Sequence, residues 1–388
     1  LHRLIRRQRQ MCIRDRYMRR KGLIKKCAAL SLALIMSMGT LAGCGKGGDS
    51  TTDTLPSQNE SKVADANTDA KGEPATTDAS HPNEARSMLT GKWVPADTAN
   101  NSPVCVMYSN IKDAIPQSSI SYADIVFESL VEGGITRLCA FFENKDNLVK
   151  IGPVRSCRLY YLFLAKEYEA TYVHFGYSDL AEEYLKMDKM HSLDGMVYCG
   201  FYRSTDRVAP HNAYTSWQGI MDSVAAKGYP TTYPEGYRSP LQFNTDDNND
   251  IDLSGDPIAQ KCNKFVPGYP YNKPWFEYNA EDGLYYRYQF GDAHIDKETG
   301  EQLAFKNILV KYVTGDYVDG TPDYVNSDAG MALYITDGYA VPVTWWKLEE
   351  FGQTYYYGAD GKEITVNQGK TFICYVEERY KDNVEVLP

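Results

Sequence analysis

Between Asp124 and Arg158 the chain reads DIVFESLVEGGITRLCAFFENKDNLVKIGPVRSCR. A β-prone run, Ile125-Val126-Phe127, leads to Gly133-Gly134, and a second runs from Ile135 to Phe142. Two such runs joined by Gly-Gly predict a hairpin with a two-residue loop, because glycine accepts the positive φ of a tight turn. Glu132 then faces Ile135, Leu130 faces Arg137, and Glu128 faces Cys139. Arg137 lies diagonal to Glu128 and Glu132 on one sheet face, within reach of long side chains. The opposite face collects Ile125, Phe127, Val131, Leu138, Ala140 and Phe142 as a core.

The same reading extends along the chain. Val104 to Tyr108 predicts a strand, and Ser156 to Glu169 a helix that is apolar almost all round in its first turns and therefore buried. Thr171 to Phe175 is a further strand. Ser178 is placed to cap a short helix, and Thr215-Ser216-Trp217-Gln218 reads as a capping box opening a helix to about Lys227. After residue 261, short aromatic and β-branched runs are punctuated by Asp282-Gly283, Asp337-Gly338 and Asp360-Gly361, a hairpin texture. The expected fold class is α+β: an N-terminal α/β domain with a mixed sheet over residues 87–235, a connection at 236–260, and a mostly-β C-terminal domain at 261–388.

The N-terminal segment changes the address. Residues 1–17 read as a non-native leader. From Met18 the order is basic, apolar, then Leu41-Ala42-Gly43-Cys44, so residues 18–43 read as a secretory signal. The ending resembles a bacterial lipobox, which implies lipid attachment at Cys44 and a place on the extracytoplasmic face of the cell membrane. Residues 44–86 contain almost no large apolar residue and read as a disordered tether. Beyond residue 43 the chain holds 30 Lys and Arg against 50 Asp and Glu, a net charge of −20. Such a chain is repelled by nucleic acid, which is excluded as a partner.

Six cysteines fall in the folded part and none forms a CxxC pair, so zinc is not expected; an exported protein allows disulfides, but the apolar runs around several of them favour buried thiols. Asp246, Asn248 and Asp250 alternate as in a calcium loop, but the glycine and closing glutamate of that loop are missing. Neither a metal nor another cofactor is implied. The aromatics of the C-terminal part read as packing rather than as a sugar platform.

The candidate ligand-binding or catalytic residues are Glu128, Glu132, Arg137, Arg155, Arg158, Arg207, His211 and Asn212. Gly152-Pro153-Val154 delivers Arg155 toward the start of the buried helix, with Arg158 following, where unpaired N–H groups favour an anion. Arg207, His211 and Asn212 lie in a loop ahead of the next helix. The leading expectation is non-catalytic binding of an anionic or wall-derived ligand, or of an envelope protein. The alternative is an envelope hydrolase using Glu128 or Glu132 with Arg155 and His211. Arg155, His211 and one of the glutamates are expected to share one pocket, with the C-terminal domain flanking it.

Three runs carry a family resemblance: ADIVFESLVEGGITR (123–137), KIGPVRSCR (150–158) and APHNAYTS (209–216). With KNILVKY (306–312) and TWWK (344–347), the chain resembles the YerB-type lipoprotein family of mainly Gram-positive bacteria. The resemblance implies two domains on a lipid anchor and brings no activity or cofactor with it. The chain departs from the family pattern at Cys105, Cys139 and Cys157, where alanine or a similar residue is expected. It departs again at Tyr108-Ser109, where an acidic residue commonly precedes Asn110; this weakens a catalytic role for that loop.

Overall fold

The computed structural model describes residues 80–388 apart from 199 and 325–327. The signal peptide, Cys44 and the tether up to residue 79 lie outside the described residues. The β-prone runs become one central mixed sheet of eleven strands. They are β1 (Val104–Asn110), β2 (Ile125–Leu130), β3 (Thr136–Phe142), β4 (Thr171–His174), β5 (Ser192–Asp194) and β6 (Gln260–Lys261). The rest are β7 (Asn307–Val313), β8 (Ala329–Thr336), β9 (Tyr339–Trp346), β10 (Tyr355–Tyr357) and β11 (Thr371–Glu377). The order is β6-β9-β8-β7-β11-β2-β3-β1-β4-β5, with β10 beside β9. The pairs β7/β11, β11/β2, β1/β4 and β4/β5 are parallel.

Successive strand residues point to opposite faces, and here both faces are covered. Cys105, Met107, Ile125, Phe127, Cys139 and Phe141 join one core with α1 (Leu159–Glu167), near which α2 (Asp179–Leu185) packs. Val104, Val106, Val126, Leu138, Ala140 and Phe142 join a second core. That core includes Trp217, Ile220 and Val224 of α3 (Trp217–Lys227) and Phe265, Phe276 and Phe305 of a second, six-stranded sheet. Each fully buried side chain of this size contributes about 2 kcal/mol.

The chain is thus mostly β with few helices, three α-helices among the described residues. The helix content expected of an α/β first domain is limited to these. The first and last parts of the chain meet inside the central sheet, where β11 lies beside β2 from Thr371↔Ile125 to Tyr375↔Ser129. Residues 236–260 run along this body: Gln242–Phe243 pairs with Thr365–Val366, and Leu241 is buried. The end of the expected tether is ordered too, since Glu84–Arg86 pairs with Trp93–Pro95.

Several local expectations need correction. Val131 N–H donates to the Ile135 carbonyl at 2.8 Å, so the hairpin loop holds three residues, Glu132, Gly133 and Gly134. Glu128 therefore pairs with Leu138, and Ser129 with Arg137. A one-residue slip sends every side chain of a strand to the other face. Glu128 and Arg137 consequently stand on opposite faces, and the expected core divides, with Ile125, Phe127 and Val131 on one side and Leu138, Ala140 and Phe142 on the other.

The buried helix starts at Leu159, because the backbone before it is held extended. Arg155 N–H donates to the Met107 carbonyl at 2.8 Å, Phe175 N–H donates to the Arg155 carbonyl at 2.9 Å, and Cys157 bridges to Tyr177. Arg155 is therefore not at a helix start. The expected capping box is also replaced: Ser216 Oγ caps α3 from Gly219 N–H at 3.1 Å, while the Thr215 hydroxyl donates to the Gly200 carbonyl. Ser178 stands at the α2 cap position without a side-chain capping bond. The would-be calcium loop is tied inward, Asp246 accepting Asn248 N–H and Asp250 pairing with Lys306 at 2.7 Å.

Candidate functional site

Gly152 sets the local path of the chain. It has φ 141°, and a Cβ there would lie 2.9 Å from the Ala213 carbonyl oxygen, so only glycine lets residues 151–154 lie against 213–215. Ile151 N–H donates to Thr215 O at 2.8 Å, and Val154 N–H donates to Ala213 O at 2.7 Å. Ala213–Thr215 pairs in turn with Phe201–Arg203. The loop closing that hairpin carries Arg207, His211 and Asn212, and these contacts bring it beside Arg155.

Arg155 donates from Nη1 to the Pro210 carbonyl at 3.0 Å. His211 Nδ1 lies 3.2 Å from Ser109 Oγ. Burial, then the charge of Arg155, holds the His211 pKa down, so its imidazole is neutral near pH 7 and adds no charge. Arg207 donates from Nη2 to the Pro116 carbonyl at 2.5 Å. Asn212 is a brace: its Oδ1 accepts from Arg203 at 2.7 Å and its Nδ2 donates to the Ser204 carbonyl at 3.1 Å.

Glu132 and Arg158 form a two-pronged pair, Nε–Oε1 at 2.5 Å and Nη2–Oε2 at 2.6 Å. Thr321, from the C-terminal half, donates its hydroxyl to Glu132 Oε1 at 2.8 Å. The Arg158 pair outweighs the effect of burial and brings the Glu132 pKa down to about 2. Arg158 also donates to the Cys157 carbonyl at 2.8 Å, so its guanidinium is largely satisfied.

Arg137 is different. It is 4% exposed, and its guanidinium donates through Nη1 to the Ser156 carbonyl. No carboxylate of the described residues lies within ion-pair distance of it or of Arg155. Burial and the neighbouring charges of Arg158 and Arg155 push its pKa down to about 10. Three guanidinium groups thus gather here around the single carboxylate of Glu132. A buried cation without a counter-charge is costly, and a planar fork with open donors suits a carboxylate or phosphate.

Glu128 belongs elsewhere. It and Arg287 are both fully buried and paired at 2.7 Å. Asn110, Thr136 and Asn272 donate to its Oε1 at 3.1, 2.7 and 2.7 Å. Arg287 reaches His294, whose Nε2 lies 2.7 Å from Gln117 Oε1. This closed network fixes the central sheet against the second sheet. Glu128 and Glu132 form no acid–base pair. Sequence reasoning had no signal for Arg287, His294, Gln117 or Ser109, whose partners come from distant segments.

Of the sequence-chosen residues, Arg137, Arg155, Arg158 and Glu132 interact with one another, with His211 and Arg207 alongside. The five cysteines among the described residues, Cys105, Cys139, Cys157, Cys262 and Cys374, are free and buried.

The chain is 30% identical over 301 residues to "Putative lipoprotein YerB" of Bacillus subtilis (strain 168), covering 76% of this chain and 86% of that protein. It is similar to the crystal structure of YerB protein from Bacillus subtilis, with a TM-score of 0.67 and 28% identity over 78% of this chain and 99% of that one. Residues 89–230 match the N-terminal domain, and residues 266–373 the C-terminal domain, of the family described as protein of unknown function (DUF3048). The chain belongs to this two-domain, YerB-type family.

Proposed function

We propose that this chain is a lipid-anchored protein of the cell envelope that binds an anionic ligand without transforming it, through Arg137 and Arg155. The observation carrying this reading is Arg137, almost wholly buried, flanked by two more guanidinium groups and lacking a carboxylate partner among the described residues. In a chain of strongly negative balance, such a concentration of positive charge has a use only if an anion arrives to meet it. A wall-derived carboxylate or phosphate, or an acidic side chain of an envelope protein, has the required chemistry. The Leu41-Ala42-Gly43-Cys44 sequence, together with a relative named as a lipoprotein, supports the anchor.

The hydrolase reading has less support. Glu128 is sealed in its ion pair, and Glu132 at a pKa of about 2 is too weakly basic and too fully ionised to divide acid and base roles near neutrality. The deciding experiment incubates the purified protein with wall fragments and muropeptides, with and without divalent metals. Saturable binding that Arg155→Gln abolishes, with no soluble product, is expected. Release of soluble products under any metal condition defeats the proposal.

A further inference from the structure

We infer that the protein carries a second ligand site, an open cleft of about 480 Å³ between Ile120-Ser121 and the strands Leu284–Gln289 and Ala304–Phe305, which takes a small organic acid with one carboxylate or phosphate head. Both family domains contribute to it: Lys92, Ile120 and Ser121 from the first, the remaining walls from the second. The volume is that of a small-molecule site.

Three lysines, Lys92, Lys306 and Lys370, line the cleft. Gly369 lets them gather: a Cβ there would lie 2.9 Å from Lys306 Cβ and 4.0 Å from Lys92 Cε. They are not equivalent. Lys306 is neutralised by Asp337 at 2.5 Å and Asp250 at 2.7 Å. Lys370 is partly buried and donates to the Ser121 carbonyl, with no carboxylate of the described residues within ion-pair distance. Of the two acids whose charge reaches it, Asp124 is already paired with Lys145 at 3.1 Å and Glu301 stands in the cleft itself. Lys92 is exposed and likewise without an ion pair among the described residues. Two ammonium groups are therefore available to an incoming acidic head.

The other walls narrow the chemistry. Leu284 and the Tyr286 ring, both half-buried, supply an apolar surface for an organic body over the buried Leu303 and Phe305. Glu301 adds one carboxylate, which repels a second negative group and accepts from a hydroxyl or amine on the ligand. A polyanion is thus disfavoured, and a hydroxylated monoacid fits.

The test uses the protein labelled with ¹³C at lysine Cε and observes Lys92 and Lys370 by NMR. It is titrated separately with gluconate, glucose 6-phosphate and neutral glucose. Saturable shifts of both lysines with gluconate, with glucose 6-phosphate, or with both are expected, none with glucose; which acid works assigns the head as carboxylate or phosphate. Lys370→Met, and Lys92→Met as a surface change that cannot disturb the core, should each weaken that binding at least tenfold. Arg155→Gln should leave it intact, so this site stands or falls apart from the arginine cluster. Absence of saturable shifts with both acids, equal shifts with glucose, or unchanged affinity in both lysine variants would overturn it.

Discussion

Glu128 and Arg137 occupy neighbouring strands, one register step apart, and stand on opposite faces of the sheet. Glu128 meets Arg287 in the core shared with the second sheet, while Arg137 turns toward the Ser156 carbonyl near α1. One carboxylate is locked into architecture, and one guanidinium has no carboxylate partner among the described residues. Their separation sets different outcomes for their replacement.

Glu128→Gln should be strongly destabilising. It leaves Arg287 buried and unpaired, and breaking one partner of such a pair costs about 3–5 kcal/mol. Urea denaturation reads the loss directly, and a variant within about 1 kcal/mol of the parent would contradict the assigned role.

Arg155→Gln should behave oppositely. Its side chain makes one bond to a backbone carbonyl and no ion pair among the described residues. Stability should change by under about 1 kcal/mol, while affinity for an anionic wall fragment falls at least tenfold by calorimetry. Arg158→Gln separates the two effects, since it also orphans Glu132 and should lower the melting temperature.

Lys311 predicts a pH dependence. Its side chain lies over Trp345, 3.7 Å from the ring centroid, and is 2% exposed. Burial, then the charge of Lys347, lowers its pKa to about 7, with Glu167 and Asp328 opposing. A lysine whose folded pKa lies below its unfolded value of about 10.4 penalises the folded state fully below the folded pKa. Between pH 7 and about 10 the unfolded chain binds the extra proton, so this contribution makes stability rise with pH. Lys311→Met should raise stability most at pH 6 and flatten that rise. Parallel curves for parent and variant across the window would sink the assignment.

Cys44→Ser should yield an uncleaved precursor without lipid. Two acyl chains, at about 0.8 kcal/mol per buried CH₂, give lasting membrane attachment where one is marginal. Radiolabelled palmitate incorporation and precursor size on a gel read both features. Unchanged processing in the variant would refute the lipobox reading.

Much of the β architecture was legible. Asp337-Gly338 makes the two-residue turn its sequence advertises, with Thr336 opposite Tyr339 and φ of 46° and 77° at the turn residues. The register at Gly133-Gly134 was not legible, for a physical reason. Alternation fixes register only when one face is polar, and β2 and β3 are buried on both faces. Two glycines accept a loop of two or three residues, so nothing local decides. The arginines were found because Arg155 and Arg158 sit close together in sequence beside a marked turn. The pairing of β2 with β11 joins residues about 250 positions apart, and no pattern in either strand names its partner.

That pairing gives the chain a schedule. β11 occupies the middle of the sheet yet is synthesised after both of the strands it joins, β2 and β7. Until it arrives, β2 and β7 each present a bare hydrogen-bonding edge, and the two halves have no common strand to close upon. A nascent chain therefore cannot close its central sheet until Thr371–Glu377 has been made, however early its first half is complete.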